Sequence, residues 1–354
     1  MKKTLIFFAL CFTNIVQACT AFGVITNTGT LIGKNRDYYY GPQTINVTPP
    51  SSKLLNWHQN TYHHANHFFG LTASDGVAMG VNEHGLTAIE EDTIRPLDAS
   101  THRRFLEPVD GTLDGMVLYG VLQNFNTVDE MLPYLSSIFS VAAPDFYQFA
   151  DAHKILTVEV AFASQDNDPK RQFHYRVMTK NGKQFEHTNI YVTPQYEFMN
   201  DIPSKASNTA GAQNRLITIK TLMAQTKNIN INTAAKWFMN TASKLSSPDD
   251  PYECQNTSLF RSYLQGNTSV DMTNQSDKIY GTASSMIVSN NGRMDNSYLY
   301  LKVIDDIQTD TTGQQHIPYR TLTATLEQLF SGKPLIFKKH ILLRQPPVNG
   351  ICPG

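Results

Sequence analysis

The sequence carries almost no net charge and has no run of basic residues. Its 354 residues hold 29 Lys and Arg against 30 Asp and Glu, a formal net charge of −1. Proteins that bind nucleic acid through its phosphates need a surplus of Lys and Arg. We therefore expect no nucleic-acid partner.

A long apolar run is also missing. A transmembrane helix needs about 20 consecutive apolar residues, whereas the run from Leu5 to Phe12 is much shorter and nothing later reaches that length. This run follows Lys2 and Lys3 and precedes a small-residue site ending at Ala18, which is the order of a secretory signal peptide. We expect residues 1–18 to be removed, no integral membrane segment in the rest, and an exported protein, either periplasmic or secreted.

Cysteine is scarce, and the number left after export is odd. Of four cysteines, Cys11 would leave with the signal, so Cys19, Cys254 and Cys352 remain. In an oxidising compartment Cys254 and Cys352 are candidates for a disulfide that fixes the C-terminal tail, with two free buried cysteines as the alternative. Cys19 is then the unpaired thiol of an exported protein.

The rest of the chain shows no internal repeat, low-complexity tract or clear linker, so we expect residues 19–354 to form one domain. Short β-rich runs and runs with helical spacing alternate in blocks. The β-rich runs lie between 21 and 35, 68 and 92, 147 and 179, and 282 and 304, and the helical runs lie at 116–125, 127–139, 214–224 and 232–245. Strand blocks that alternate with two pairs of helices predict antiparallel sheets covered by helices, a layered α+β architecture.

The first two β-rich runs predict a hairpin that starts at Cys19. They are separated by Asn27-Thr28-Gly29, a hairpin turn signal. If the turn is centred on Thr28, Cys19 faces Asp37 across the ladder, give or take a bulge. A chain that begins at Cys19 would hold its α-amine and its thiol near this carboxylate.

These groups fit nucleophilic catalysis. A cysteine thiol needs a base or a nearby positive charge to become the attacking thiolate. An N-terminal α-amine has a pKa near 8, so it can accept that proton and later return one to a leaving amine. Asp37 would orient the amine, while Lys34 and Arg36 bring positive charge to the same strand. The alternative is a buried strand start at Cys19 and a turn carboxylate at Asp37.

The opening CTAFGVITNTGTLIGKNRDY resembles that of the N-terminal-nucleophile hydrolases that cleave linear amides. These are the choloylglycine hydrolase and penicillin V acylase group, the acid ceramidase group and the penicillin acyltransferase-like enzymes. Their pattern is Cys-Thr, a hairpin, then Gly-(Arg/Lys)-Asn-x-Asp, matched here by Cys19-Thr20 and by Gly33 to Asp37. The resemblance implies an αββα sandwich of two antiparallel sheets between helix layers, with no cofactor and no metal.

The resemblance also implies roles for later residues. Asn82, in the segment GVNEHGL, resembles an oxyanion donor, and Asn189, after Thr188, resembles a second catalytic Asn. If Pro194 marks the family's following landmark, Val192 takes that Asn position instead. Arg215 resembles the Arg that opens the next helix and supports the nucleophile's surroundings.

The expected substrate site departs from the family pattern at one position. Lys34 stands where bile-salt hydrolases carry Arg, so a bidentate guanidinium contact cannot form there. Lys34, Tyr38 and Tyr39 are candidate substrate-binding residues, with a plain aromatic strand edge as the alternative for the tyrosines. The expected partner is a small N-acylated amide, and association of several copies is compatible with the sequence.

Two other interpretations were weighed. The segment HHANH at 63–67 suggests a metal site, but no acidic or Cys ligand spacing accompanies it, and a histidine-bearing loop explains it better. A lipoprotein anchored through Cys19 is the non-catalytic rival, although Gln17 is unusual where small residues precede a lipidated Cys. The sequence therefore predicts an exported hydrolase of carbon–nitrogen bonds other than peptide bonds, with an acyltransferase on the same scaffold as the alternative.

Overall fold

The computed structural model describes residues 19–39, 44–49, 65–73, 76–93, 114–162, 170–201, 206–239, 280–304, 308–312 and 315–344. Its strands are β1 Thr20–Thr26, β2 Gly29–Tyr39, β3 Thr44–Thr48, β4 Phe68–Ala73, β5 Gly76–Asn82, β6 Thr87–Asp92, β7 Asp145–Ala150, β8 Ile155–Phe162, β9 Arg171–Met178, β10 Gln184–Thr188, β11 Tyr280–Asn290, β12 Tyr298–Ile304, β13 Gln308–Thr309, β14 Gln315–Thr325 and β15 Lys338–Arg344. Its α-helices are α1 Asp114–Asn124, α2 Val128–Met131, α3 Leu135–Phe139, α4 Ala206–Gln225, α5 Ile231–Met239 and α6 Leu326–Phe330.

These strands form two antiparallel sheets. One has the order β10-β1-β2-β11-β12-β14-β13, with β15 also paired to β14, and the other has the order β3-β4-β5-β6-β7-β8-β9. In the first sheet β1 lies between β2, its hairpin neighbour, and β10, which follows it by more than 150 residues. The start of β1 is therefore flanked by strands from distant parts of the chain.

Three buried apolar clusters show how the layers stack. One cluster joins the two sheets face to face and includes Ile32 from the first sheet and Met79 from the second. A second packs α1, α2 and α3 on the outer face of the β3–β9 sheet, and a third packs α4 and α5 on the outer face of the other sheet. The order is helices, sheet, sheet, helices, so the expected αββα sandwich is confirmed.

The predicted hairpin is present, but its register differs by one residue from the prediction. Thr26 pairs with Gly29, so the loop contains only Asn27 and Thr28, and paired positions sum to 55. Gly29 has φ +146°, and a Cβ there would come within 2.0 Å of the Asn290 carbonyl oxygen. Glycine is required at this position because the turn lies directly against β11.

The helix expected over 127–139 is interrupted. Thr127 caps its start, accepting a hydrogen bond from the Glu130 N–H at 3.3 Å as the capping pattern predicts. A 3₁₀ segment at Leu132–Tyr134 then separates α2 from α3, because Pro133 has no N–H to continue the α-helical ladder. Among the helices that the structure describes, none is long and apolar enough to cross a membrane.

Candidate active site

Cys19 lies at the head of β1 and is fully buried. In the pairing of β1 with β10, Thr20 faces Thr188, and in the pairing with β2 it faces Asn35. One step further along these ladders, Cys19 lies between Asn189 and Arg36. Side chains alternate along a strand, and Ala21 belongs to the core between the sheets, so the Cys19 thiol points into the same space between the sheets.

The sequence predicted that Asp37 lies opposite Cys19. The structure differs by one position, because the hairpin loop has only two residues. Extending the register instead places Asp37 level with the amino side of Cys19, where the mature α-amine would lie. The Asp37 carboxylate is buried and accepts a 2.6 Å hydrogen bond from the Thr282 hydroxyl on β11. Asp37 is therefore held in position at the expected terminus rather than beside the thiol.

The surroundings of Cys19 determine its charge state. Burial raises the pKa of the thiol to about 12, and the nearby carboxylates of Asp92, Glu90 and Glu91 also raise it, while Lys34 acts in the opposite direction. A buried thiol with this pKa is neutral at pH 7. Activation of Cys19 therefore requires a base or an additional positive charge close to the sulfur.

Lys34 is a buried neighbour of Cys19 rather than a group on the substrate-facing surface. Its ammonium donates hydrogen bonds to the carbonyl oxygens of Ala78 and Glu90 and lies 3.7 Å from the Glu90 carboxylate. Burial lowers the pKa of Lys34, but the charges of Cys19 and Glu90 outweigh this effect and leave it raised. Lys34 is therefore a fixed cation that acts on the thiol, and its role in substrate binding stays a prediction.

Asn189 and Arg215 are brought together next to Cys19. Arg215 is one of the largest fully buried side chains, and its guanidinium donates from Nη2 to Asn189 Oδ1 at 3.0 Å and from Nε to Thr20 Oγ1 at 3.2 Å. The Asn189 amide nitrogen donates to the Asp92 carbonyl at 2.6 Å, its one hydrogen bond among the described residues. Val192, the alternative to Asn189, is 41% exposed, so the structure places Asn189 rather than Val192 at Cys19.

Asn82 does not occupy the position predicted for an oxyanion donor. Its amide nitrogen donates to the carbonyl oxygens of Leu122 and Phe125 at 3.0 and 2.7 Å, which uses both of its N–H groups. Its amide oxygen accepts from the N–H groups of His84 and Leu86. Asn82 therefore closes the turn between β5 and β6 and fixes it to the end of α1. The sequence could not show this, because Leu122 and Phe125 approach Asn82 only in the folded chain.

The remaining predicted residues lie partly outside the described structure. Tyr38 and Tyr39 end β2 and pair with Gly281 and Tyr280 of β11, but their side chains are not among those described. Cys254 and Cys352 also lie outside the described residues. Within the described part of the chain, no group of three or more His, Cys, Asp or Glu side chains could hold a metal ion.

One set of residues at the site was missed by the sequence reasoning. The acidic run Glu90-Glu91-Asp92 ends β6 and acts on Cys19 from the opposite sheet, while His187 on β10 lies between Glu91 and Glu159. Three consecutive acidic residues at the end of an otherwise apolar strand are an unusual signal, because charged groups are rarely buried without partners. Their partners come from β2, β8 and β10, so the sequence alone did not reveal the set.

An αββα sandwich of two antiparallel sheets is the fold of the N-terminal-nucleophile enzymes, a class that includes amide hydrolases and acyltransferases. More particularly, residues 24–259 match the model of the family described as acyl-coenzyme A:6-aminopenicillanic acid acyl-transferase. This match spans more than half of the chain, so the protein belongs to that family. The chain matches no curated protein sequence.

Solved structures with a similar chain course include two variants of the conjugated bile acid hydrolase from Clostridium perfringens. They share 13% and 14% sequence identity, each with a TM-score of 0.44, and the alignments cover 91% and 94% of this chain and 96% and 99% of theirs. The Caenorhabditis elegans N-acylethanolamine-hydrolyzing acid amidase ortholog shares 11% identity over 78% of this chain and 94% of its own, with a TM-score of 0.38.

Proposed function

We propose that the protein, cleaved after Ala18 during export, is a cysteine amidohydrolase that uses Cys19 as nucleophile and the α-amine of Cys19 as base. The observation that carries this proposal is the convergence on one buried thiol of Lys34, Asn189 and, through Asn189, Arg215. Cys19 precedes β1, Lys34 lies on β2 and Asn189 follows β10, which are three adjacent strands, and Arg215 comes from α4, which covers them. Such an arrangement suits acyl transfer through a thioester.

The raised pKa of the buried thiol is consistent with a base that is part of the same residue. Transfer of the thiol proton to the α-amine gives a thiolate and an ammonium within one residue, and this internal ion pair reduces the cost of a buried charge. Lys34 adds a second positive charge, since it lowers the pKa of the thiol. Asp37, level with the amino side of Cys19, would accept a hydrogen bond from the ammonium.

The proposed reaction has two stages. The thiolate of Cys19 attacks the amide carbonyl carbon, and the free N–H of Asn189 donates to the oxygen as it becomes an anion. The ammonium then gives its proton to the leaving amine, and a thioester to Cys19 remains. In the second stage the amine takes a proton from water, whose oxygen attacks the thioester, and the released carboxylic acid leaves Cys19 free. An acceptor amine in place of water would make the same site an acyltransferase, as the family description indicates.

Arg215 is a positioning residue in this scheme. By donating to Asn189 Oδ1 and to the residue that follows Cys19, it fixes the distance between the proposed oxyanion donor and the nucleophile. A donor must be held in place before the charge develops if it is to stabilise the transition state efficiently. The buried guanidinium provides this without depending on the substrate.

The lipoprotein alternative is less compatible with this geometry. A diacylglyceryl group on Cys19 would have to emerge from a position that is fully buried between two sheets. A lipid anchor also gives no reason for Lys34, Asn189 and Arg215 to converge on the same residue. We therefore propose an enzyme rather than an anchored binding protein.

The test starts from the N-terminus of the exported protein. Intact mass and N-terminal sequencing should give a chain that begins at Cys19 without added mass. The mature protein should then release amines from a panel of N-acylated substrates, including penicillin V, conjugated bile acids, acyl-homoserine lactones and N-acyl amino acids. A matched protein that retains Ala18 before Cys19 should fold and be inactive, because its amine has become a non-basic amide.

The outcomes separate the alternatives. Acyl-chain mass on Cys19 would support the lipoprotein and contradict the enzyme. Full activity of the protein that retains Ala18 would rule out the α-amine as base. Product analysis with added amines would show whether water or an amine receives the acyl group.

A further inference from the structure

A buried carboxylate–imidazole–carboxylate chain lies one step away from the candidate site and has no role in the scheme above. His187 Nδ1 is 3.0 Å from Glu91 Oε2, and His187 Nε2 is 3.2 Å from Glu159 Oε1. The His187 side chain is 7% exposed and those of Glu91 and Glu159 are 0% and 8% exposed. The Phe146 ring packs on the imidazole with centroids 4.3 Å apart. The three groups therefore interact with little screening by water.

The positions of the two carboxylates determine the protonation of the ring. A neutral imidazole has one N–H and one lone pair, whereas an imidazolium has two N–H donors. With a carboxylate at each nitrogen, the neutral form would direct a lone pair at one of them. When both carboxylates are ionised, only the imidazolium gives each of them an N–H donor. Against the opposing effect of burial, the contact with His187 lowers the pKa of Glu159, which favours its ionised form.

The hydrogen-bonded set of Glu91, His187 and Glu159 connects the two segments that hold Asn189. Glu91 immediately precedes Asp92, whose carbonyl accepts the hydrogen bond from the Asn189 amide. Glu159 also accepts the N–H groups of Val192 and Thr193, which follow Asn189. His187 itself lies on β10, two residues before Asn189. The imidazolium therefore links the end of β6 to the turn that carries the proposed oxyanion donor.

The charge on His187 also affects the nucleophile. Glu91 is one of the carboxylates that raise the pKa of the Cys19 thiol. An imidazolium at hydrogen-bonding distance balances the Glu91 charge, so the thiolate forms against a smaller negative field. Loss of that cation would leave Glu91 and Glu159 with neutral hydrogen-bond donors but without their shared counter-ion, and the Glu91 charge would act on Cys19 at full strength.

We propose that His187 is a positioning residue that is an imidazolium at neutral pH: it is the counter-ion shared by Glu91 and Glu159 near the nucleophile, and it holds Asn189 in place for oxyanion binding. This inference rests on the proposed function for its effect on turnover. The charge state of the ring can be tested without any substrate.

The pH range over which His187 is protonated follows from the groups around it. The charged groups at the ring are Glu91 on β6 and Glu159 on β8, and the neutral Gln148 on β7 donates to the same Glu91 oxygen at 3.1 Å. Burial lowers the pKa of His187, whereas its hydrogen bonds and ion pairs with Glu159 and Glu91 raise it from 6.5 to about 9. The contribution of the protonated His187 ring to the stability of the fold is therefore fully present below about pH 6.5 and is lost as the pH rises through about 9.

The first experiment measures the ring directly. The mature protein with ¹⁵N-labelled histidine is examined by NMR, and the His187→Gln variant assigns the signal by difference. Both ring nitrogens of His187 should carry protons at pH 7 and lose one with a midpoint near 9. A neutral ring at pH 7 would overturn the proposal, whether or not a substrate has been found.

The second experiment uses turnover of whichever N-acyl substrate the mature protein cleaves. His187→Gln should lower kcat at least tenfold with KM changed less than twofold, and should slow alkylation of Cys19 by iodoacetamide at pH 7. Adding Glu91→Gln should restore part of both rates, because it removes the uncompensated charge. His316→Gln, which removes an exposed histidine paired with Asp310 at 3.0 Å, is the matched control and should have no effect.

The results distinguish this inference from the proposed function. If no amide is cleaved but the ring is an imidazolium and the alkylation rates follow the stated order, the proposed function fails and the charge role of His187 stands. A His187→Gln variant with wild-type kcat, or one that Glu91→Gln does not rescue at all, would show that the ring serves packing alone.

Discussion

Asn189 and Asn82 provide a paired test of the active site. Both are buried asparagines, and replacing either should lower the free energy of unfolding by a similar amount, although the hydrogen bonds lost are different. Asn189→Ala removes the 2.6 Å bond to the Asp92 carbonyl and the charge-assisted bond from Arg215. Asn82→Ala removes four bonds, two to carbonyl oxygens beside α1 and two from N–H groups in the β5–β6 turn. Only the first change also removes the proposed oxyanion donor.

The stability costs can be estimated bond by bond. For Asn189→Ala, about 1 kcal/mol for the neutral bond and about 1.5–3 kcal/mol for the charge-assisted bond give roughly 2.5–4 kcal/mol. For Asn82→Ala, four neutral bonds of about 1 kcal/mol each give roughly 4 kcal/mol. With an unfolding entropy near ~0.7 kcal/mol/K for a chain of this size, both variants should lose about 4–6 °C in Tm.

The kinetic costs should differ widely. Loss of one oxyanion donor typically costs about 2.7–4 kcal/mol of transition-state stabilisation, so Asn189→Ala should lower kcat by about 10²–10³. Asn82→Ala, measured well below its Tm, should retain kcat within about threefold, because both N–H groups of its amide already donate to backbone carbonyl oxygens. Differential scanning calorimetry gives Tm, and kcat is calculated per active site after titration of Cys19 by alkylation.

The comparison controls for misfolding, since two variants of similar stability are expected to differ about a hundredfold in turnover. The reasoning would be refuted if Asn82→Ala lost more activity per titrated site than Asn189→Ala. It would also be refuted if Asn189→Ala turned over at a rate close to that of the wild type.

Three further outcomes are expected. Cys19→Ser should fold with an unchanged Tm and lose several orders of magnitude in kcat, because a hydroxyl is a far weaker nucleophile than a thiolate; near-normal turnover would remove Cys19 from the mechanism. Lys34→Met should slow alkylation of Cys19 at pH 7 about tenfold or more, since a one-unit rise in pKa lowers the thiolate fraction tenfold, and an unchanged rate would contradict the electrostatic role of Lys34. Alkylation of the denatured, non-reduced mature protein should label one cysteine if Cys254 and Cys352 are bonded, whereas mass spectrometry showing three labels would exclude that bond.

Local features of the sequence determined much of the fold. The hairpin that begins at Cys19 and the helices α1 and α4 are set by contacts between residues close in sequence, so the turn signal and the apolar spacing predicted them. The position of the proposed nucleophile after a signal-like segment and the presence of a carboxylate on the second strand also required no tertiary information.

Other features depended on pairings between distant residues. The hairpin loop holds two residues and its Gly29 packs against Asn290 of β11, and the resulting register places Asp37 level with the amino side of Cys19 rather than opposite it. The role of Asn82 was decided by Leu122 and Phe125, whose carbonyl oxygens reach its amide only when α1 packs on β5.

The site itself is a product of tertiary structure. Arg215 donates to Thr20 across 195 residues of sequence, and Glu91, Glu159 and His187 meet only where β6, β8 and β10 face one another. No local propensity encodes such contacts, because each group gains its partner only after the two sheets have packed. The sequence thus indicated which residue we propose as the nucleophile, and the packing of the sheets determined which charged and amide groups surround it.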